Sequence, residues 1–209
     1  MSNRRGRLAL AVEESRAYWE TADTSVPVAS RPTLAFERRC LRARNVERIR
    51  DILVVMAERY DAFPEALVVL GRWKRMDAPT RRMICHWHLQ LSDPLYRRFT
   101  AELLVDHRSR NAPIDRAATA SWLRDEDEDS ALASYLLTAG AEAGLITAKR
   151  DPRKMITPEV PERAVAYLLH LLRAVGVDPA PYLVSIGREG DEVGLPMCSS
   201  LTAWADATL

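Results

Sequence analysis

Apolar residues recur along much of the chain at the three- and four-residue steps of a helix, most clearly at Val46, Ile49, Leu53, Met56 and Tyr60. Asn45 stands one residue ahead of that stripe as an N-cap, a side-chain oxygen ready to accept from an early helical N–H. Upstream, residues 8–19 read as a first helix with Leu8, Val12, Ser15 and Trp19 near one stripe. A Pro/Ser/Thr-bearing loop follows over 21–32, and Thr33 caps a helix through about residue 41. Pro64 sits at the first position of a helix over 65–73, and Pro79 does the same for one ending at 88 or 91, because the N–H that proline lacks is unpaired there anyway. Asp93 followed by Pro94 starts another helix, carried by Leu95, Phe99 and Leu103. Pro113 to Asp115 break the chain before a short helix over 116–123.

The pattern then changes. Five consecutive acids, Asp125 to Asp129, form the clearest linker, and Ser130 caps a helix over 131–143 that Gly144 ends. Leu145, Ile146 and Thr147, then Lys149, Arg150, Asp151, Pro152, Arg153 and Lys154, then Met155, Ile156 and Thr157 read as a small hairpin around a basic turn. Residues 160–175 form a helix with Val165, Leu168, Leu169 and Leu172 on one side, and short helices follow over 181–187 and near Leu201. The expected fold is mainly α: a compact helical bundle over residues 1–124, then a winged-helix-like segment over 125–209 with one short β-hairpin.

Composition supports helix, with 8 Gly and 3 Phe among 209 residues and 47% apolar content. Cys40, Cys85 and Cys198 are odd in number and far apart, with no metal spacing or disulfide framework visible, which agrees with a reducing compartment. Apolar runs such as residues 52–57 fall far short of a bilayer span. Arg4, Arg5 and Arg7 before a short apolar run look like a signal peptide, but Glu13 and Glu14 cut that run short. A soluble, cytoplasmic protein without membrane contact is expected.

Charge alters the picture more. The formal net charge of +1 conceals 22 basic against 15 acidic residues over 1–116 and 8 against 14 over 117–209. Arg supplies nearly all the basic residues, and its planar fork suits bidentate contact with phosphate or carboxylate. Arg38, Arg39, Arg42, Arg44, Arg48 and Arg50 crowd into 13 residues. Such a cluster is either a phosphate-contacting surface or a solvated face paired with Glu and Asp. Arg81 with Arg82, Arg97 with Arg98, and Arg72, Lys74 and Arg75 extend the basic surface. The second candidate contact is the turn, with Lys149, Arg150, Arg153 and Lys154. The helix over 131–143 carries Glu142 as its only charge, so it offers little to base edges, whereas the basic turn suits a phosphate backbone.

No catalytic set emerges. Cys85, His86, Trp87 and His88 draw the eye, yet residues two apart on a helix face different ways, so His86 and His88 do not chelate together and a structural role is expected. GxGxxG, GxxxxGK[ST] and GxSxG are absent, and the acids at 125–129 lack the spacing of a calcium loop. No metal or cofactor is expected, and the chain reads as a non-enzyme.

Arg59-Tyr60-Asp61-Ala62-Phe63-Pro64-Glu65-Ala66-Leu67, together with Cys85-His86-Trp87-His88-Leu89-Gln90-Leu91-Ser92-Asp93-Pro94-Leu95-Tyr96-Arg97-Arg98-Phe99, resembles the BrxA-like inner family, small accessory proteins of bacteriophage exclusion (BREX) defence systems. The Asn45–Tyr60 helix and the later Ala143-Gly144-Leu145-Ile146 with its basic turn fall in that family's order, and the resemblance covers roughly residues 8–175. It implies a helical part similar to the antitermination factor NusB and a non-enzymatic, DNA-binding role in phage defence beside other proteins of the system. Double-stranded DNA is the expected partner. RNA binding and a protein–protein adaptor role stand as alternatives, and the oligomeric state is open.

Overall fold

The structure, a computed structural model, describes residues 8–21, 25–37, 41, 45–148, 150–188 and 200–209. It is mainly helical. In chain order the helices are α1 (Val12–Thr21), α2 (Arg31–Glu37), α3 (Val46–Tyr60), α4 (Pro64–Arg72), α5 (Ala78–Ser92), α6 (Pro94–Arg98), α7 (Leu104–Ser109), α8 (Arg116–Asp125), α9 (Ala133–Glu142), α10 (Glu162–Val175), α11 (Ala180–Ser185) and α12 (Leu201–Thr208). Phe99–Leu103 forms a π-helical turn between α6 and α7.

Polar residues at the helix starts do what their chemistry favours. The Asn45 side chain accepts from Arg48 N at 2.7 Å, Asp77 from Thr80 N at 2.7 Å, and Asp115 from Ala118 N at 2.7 Å. Asp93 receives the N–H groups of Leu95 and Tyr96, and Ser200 that of Ala203. Gly176 ends α10 in the left-handed conformation, with φ 67°.

α5 is the centre of the packing. From Met83 to Gln90 every residue is buried, because α1, α3, α6 and α10 all lie against it. Cys85, His86, Trp87 and His88 therefore all belong to the core. The same core continues past residue 125: α10 packs on α5, and α12 packs on α4 and α10, where Trp204 meets Trp73 at 5.6 Å between ring centroids.

The expected hairpin and winged-helix segment are corrected. Among the described residues there is no strand ladder. Ile146 and Met155 form one isolated antiparallel bridge and Ile114 and Arg153 another. The returning limb divides its backbone between two partners: Thr147 N donates to Lys154 O and Ile156 N to Leu145 O, while residue 153 exchanges both bonds with Ile114. Neither pairing is long enough to become a sheet. Nor does α9 stand out as a recognition helix. Ala133, Tyr135, Leu136, Leu137, Ala139 and Gly140 are buried. A Cβ on Gly140 would lie 3.3 Å from Phe99 Cε1 and 3.4 Å from Ile146 Cδ1, so α9 sits tightly under the π-turn and the loop.

The acidic run is a bonded turn between α8 and α9. Glu126, Asp127 and Glu128 donate their N–H groups back to Trp122, Arg124 and Leu123. Arg98 pairs with Glu126 and reaches Glu128 at 3.7 Å.

Candidate nucleic-acid interface

Arg38, Arg39, Arg42, Arg44 and Lys149 lie outside the described residues. Of the other expected contacts, Arg48 is half-buried on the first turn of α3, with Arg50 exposed two residues on. Neither is within ion-pairing distance of a carboxylate among the described residues.

The loop after α9 can be built up from its backbone. Gly144 adopts φ 79°, a conformation costly for side-chain-bearing residues, and turns the chain out of α9. Residues 145–147 then run beside 154–156. Arg153 is turned inward: Nη1 donates to Leu137 O on α9 at 2.9 Å, and Nε lies 3.8 Å from Asp151. Asp151 accepts from Arg116 N, at the first residue of α8, at 3.1 Å. The loop is thus tied to α9, to residue 114 and to α8. Arg150 and Lys154 remain exposed, with no ion pair among the described residues.

An open hollow of about 510 Å³ separates α8 from the loop tip, lined by Asp115, Arg116, Ala117, Ala120, Asp151 and Pro152. Helix starts attract phosphate, but here carboxylates already occupy two of the N–H groups, Asp115 on Ala118 N and Asp151 on Arg116 N, and their negative charge opposes a phosphate. Phosphate contact at this face therefore falls to side-chain cations.

Several other arginines have partners within the chain, though the Arg72 pair lies exposed at the surface. Arg81 Nη2 donates to Met76 O and Nη1 lies 3.8 Å from Glu13; Arg97 donates to the Tyr182 hydroxyl; Arg72 pairs with Asp206 at 2.6 Å. Arg59, 2% exposed, donates to Leu10 O and Ala9 O and so fastens the chain ahead of α1 onto α3. Arg108 donates to Val184 O and Ser185 O at the end of α11, where carbonyls lack helical partners. Composition counts all these arginines alike. Only packing separates those that bind carbonyls from those that face solvent; it keeps Arg82 of the Arg81–Arg82 doublet exposed and adds Arg116 to the candidates.

A serine–histidine pair among the described residues is sealed. His86 Nε2 lies 3.1 Å from Ser185 Oγ and Nδ1 lies 2.9 Å from the Tyr96 hydroxyl. Ser185 uses its proton on Tyr182 O at 2.7 Å, so the histidine must donate to the serine through Nε2 and accept from Tyr96 at Nδ1. That polarity is opposite to the one that activates a serine, and all three side chains are buried. Burial pushes the His86 and His88 imidazoles down to about 3, so both are neutral near pH 7. Among the described residues no group of three or more His, Cys, Asp and Glu side chains is placed to hold a metal ion, and no helix is long and apolar enough to cross a membrane. Compared with known family models, curated proteins and solved structures, the chain matches none of them.

Proposed function

We propose that this chain is a non-enzymatic DNA-binding protein that grips duplex DNA by its phosphate backbone, as an accessory of a bacteriophage-exclusion defence system. The observation that carries the DNA reading is the pair Arg150 and Lys154, exposed and without carboxylate partners among the described residues, on a loop tied down by Arg153 and Asp151. A cation with no partner in its own protein is available to phosphate, and an anchored loop loses little freedom when it binds. Arg48, and with it Arg38, Arg39, Arg42 and Arg44, forms the second proposed contact; Lys149 completes the basic turn, and Arg153, first expected as a contact, serves as the loop's anchor. Base reading is not proposed, because α9 is apolar and buried. The defence setting, the partners within that system and the NusB-like reading of the bundle rest on the sequence resemblance.

Binding of a labelled random-sequence duplex across a salt series tests this reading. With about six phosphates neutralised, log affinity falls against log salt with a slope of about −5. No binding at low salt, or binding indifferent to salt, sinks the proposal. Replacing Arg38, Arg39 and Arg42 together with Ala lowers affinity at an unchanged melting temperature if they are contacts; an equal loss of stability marks their stems as packing elements. A competing RNA duplex separates the two nucleic acids. An adaptor role is the second reading, favoured by the opposite charge of the two halves and the exposed Asp125, Asp127 and Asp129. Salt-sensitive self-association by light scattering, without DNA binding, would select it.

A further inference from the structure

Arg81 and Arg82 are neighbours in sequence with opposite fates in the fold. Arg81 is spent on Met76 O and Glu13, whereas Arg82 is exposed and has no ion pair among the described residues. Arg82 lies against the root of the basic loop. A Cβ on Gly144 would stand 3.4 Å from Arg82 Nη1 and 3.9 Å from its Cδ, so the side chain runs along the turn from which the loop departs. At the other end, Arg116 is exposed on the first turn of α8, its backbone N–H held by Asp151 of the loop tip. Three carboxylates share this neighbourhood. Each accepts from a backbone donor: Glu142 from Leu10 N at 2.8 Å, Asp151 from Arg116 N and Asp115 from Ala118 N. The cations beside them are left with solvent.

We infer that Arg82 and Arg116 extend the loop contact into one phosphate track, running from α5 across Lys154 and Arg150 to the start of α8, along which a duplex DNA backbone lies. This rests on the DNA reading above and names further residues that carry it. Four cations arranged as separate point contacts hold a polyanion by counterion release, each adding about 0.9 to the salt slope.

The test is the salt slope of duplex binding for Arg82→Ala, Arg116→Ala, Arg150→Ala, Lys154→Ala and a control, Arg173→Ala, an exposed cation at the end of α10. The inference expects the first four each to flatten the slope by about one, with Arg173→Ala matching the parent protein. Arg82→Gln, which keeps most of the stem, gives the same flattening should Arg82→Ala lower the melting temperature. If Arg150→Ala and Lys154→Ala flatten the slope while the Arg82 and Arg116 variants match the parent, the track is overturned and the loop contact stands. If the parent protein fails to bind duplex, or binds only anionic phosphatidylglycerol vesicles, the DNA reading and the track fall together.

Discussion

His88 Nε2 lies 2.7 Å from the Tyr167 hydroxyl, a hydrogen bond that joins the middle of α5 to the middle of α10 inside the core. His86, two residues earlier, makes the matching link to α11 through Ser185. Both imidazoles are held far below the ordinary value of 6.5, at about 3, because burial disfavours the charged form. The unfolded chain therefore takes up protons from about pH 6.5 downward while the folded chain stays unprotonated until about pH 3. Stability is fully present above pH 6.5 and falls as the medium is acidified, by about 1.4 kcal/mol per histidine for each pH unit in that window. Urea unfolding from pH 7.5 to pH 5 measures this slope, to which His170, also held down by burial, adds, and His88→Gln makes it shallower. A stability that is flat through this range contradicts the assignment.

Arg31 and Asp61 form the clasp that holds α2 against the end of α3. Arg31 Nη1 donates to Asp61 Oδ2 at 2.7 Å and to the Tyr18 hydroxyl at 2.6 Å, and Tyr18 donates to Asp61 Oδ1 at 2.5 Å. Asp61→Ala leaves a guanidinium that is 91% buried without its counter-charge, and removing one member of a fully buried pair costs about 3–5 kcal/mol. The Asp61 side chain is a quarter exposed, so water recovers part of this and the expected loss is about 2–3 kcal/mol. Tyr18→Phe keeps the ion pair and costs about 1 kcal/mol. Chemical denaturation that ranks the two variants in the reverse order would refute the clasp.

The helices were legible because their signals are local. The 46–60 stripe, the Asn45 cap, Pro64 at the first helical position and Gly144 just past a helix end all act within a few residues. The hairpin failed as a reading because its outcome depends on a distant segment. Residue 153 pairs with Ile114, some forty positions earlier, and no pattern within 145–157 announces that competitor. The arginines divided for the same reason. Arg59, Arg108 and Arg153 bind carbonyls of residues 49, 76 and 16 positions away, so their charge is spent in ways that spacing along the chain does not register.

Gly144 is needed for its backbone and not for space. The nearest atom to a Cβ there is Arg82 Nη1 at 3.4 Å, an ordinary contact, whereas φ of 79° disfavours any L side chain. Gly144→Ala is expected to lower stability by about 1–2 kcal/mol. Gly144→Asn, better suited to the left-handed region, loses about half as much. For a chain of this size the first change lowers the melting temperature by about 2–8 °C. Equal costs for the two substitutions would show that the side chain, and not the backbone angle, is what this position resists.

Arg153 and Lys154 are adjacent, and their variants should separate structure from contact. Arg153→Ala removes the bond to Leu137 O and the neighbour of Asp151, so it loosens the loop from α9 and costs about 1–2 kcal/mol. Lys154→Ala removes an exposed ammonium with no ion pair among the described residues, and surface changes of that kind stay within about 0.5 kcal/mol. Duplex binding should divide differently. Lys154→Ala flattens the salt slope by about one while leaving the melting temperature unchanged. Arg153→Ala weakens binding through a loop no longer held in place, so affinity falls together with the melting temperature and is partly restored by Arg153→Lys, which keeps a cationic donor at this position. Should Arg153→Ala leave stability intact and Lys154→Ala lower it, the loop is anchored by the residue here assigned to the phosphate, and the two roles must be exchanged.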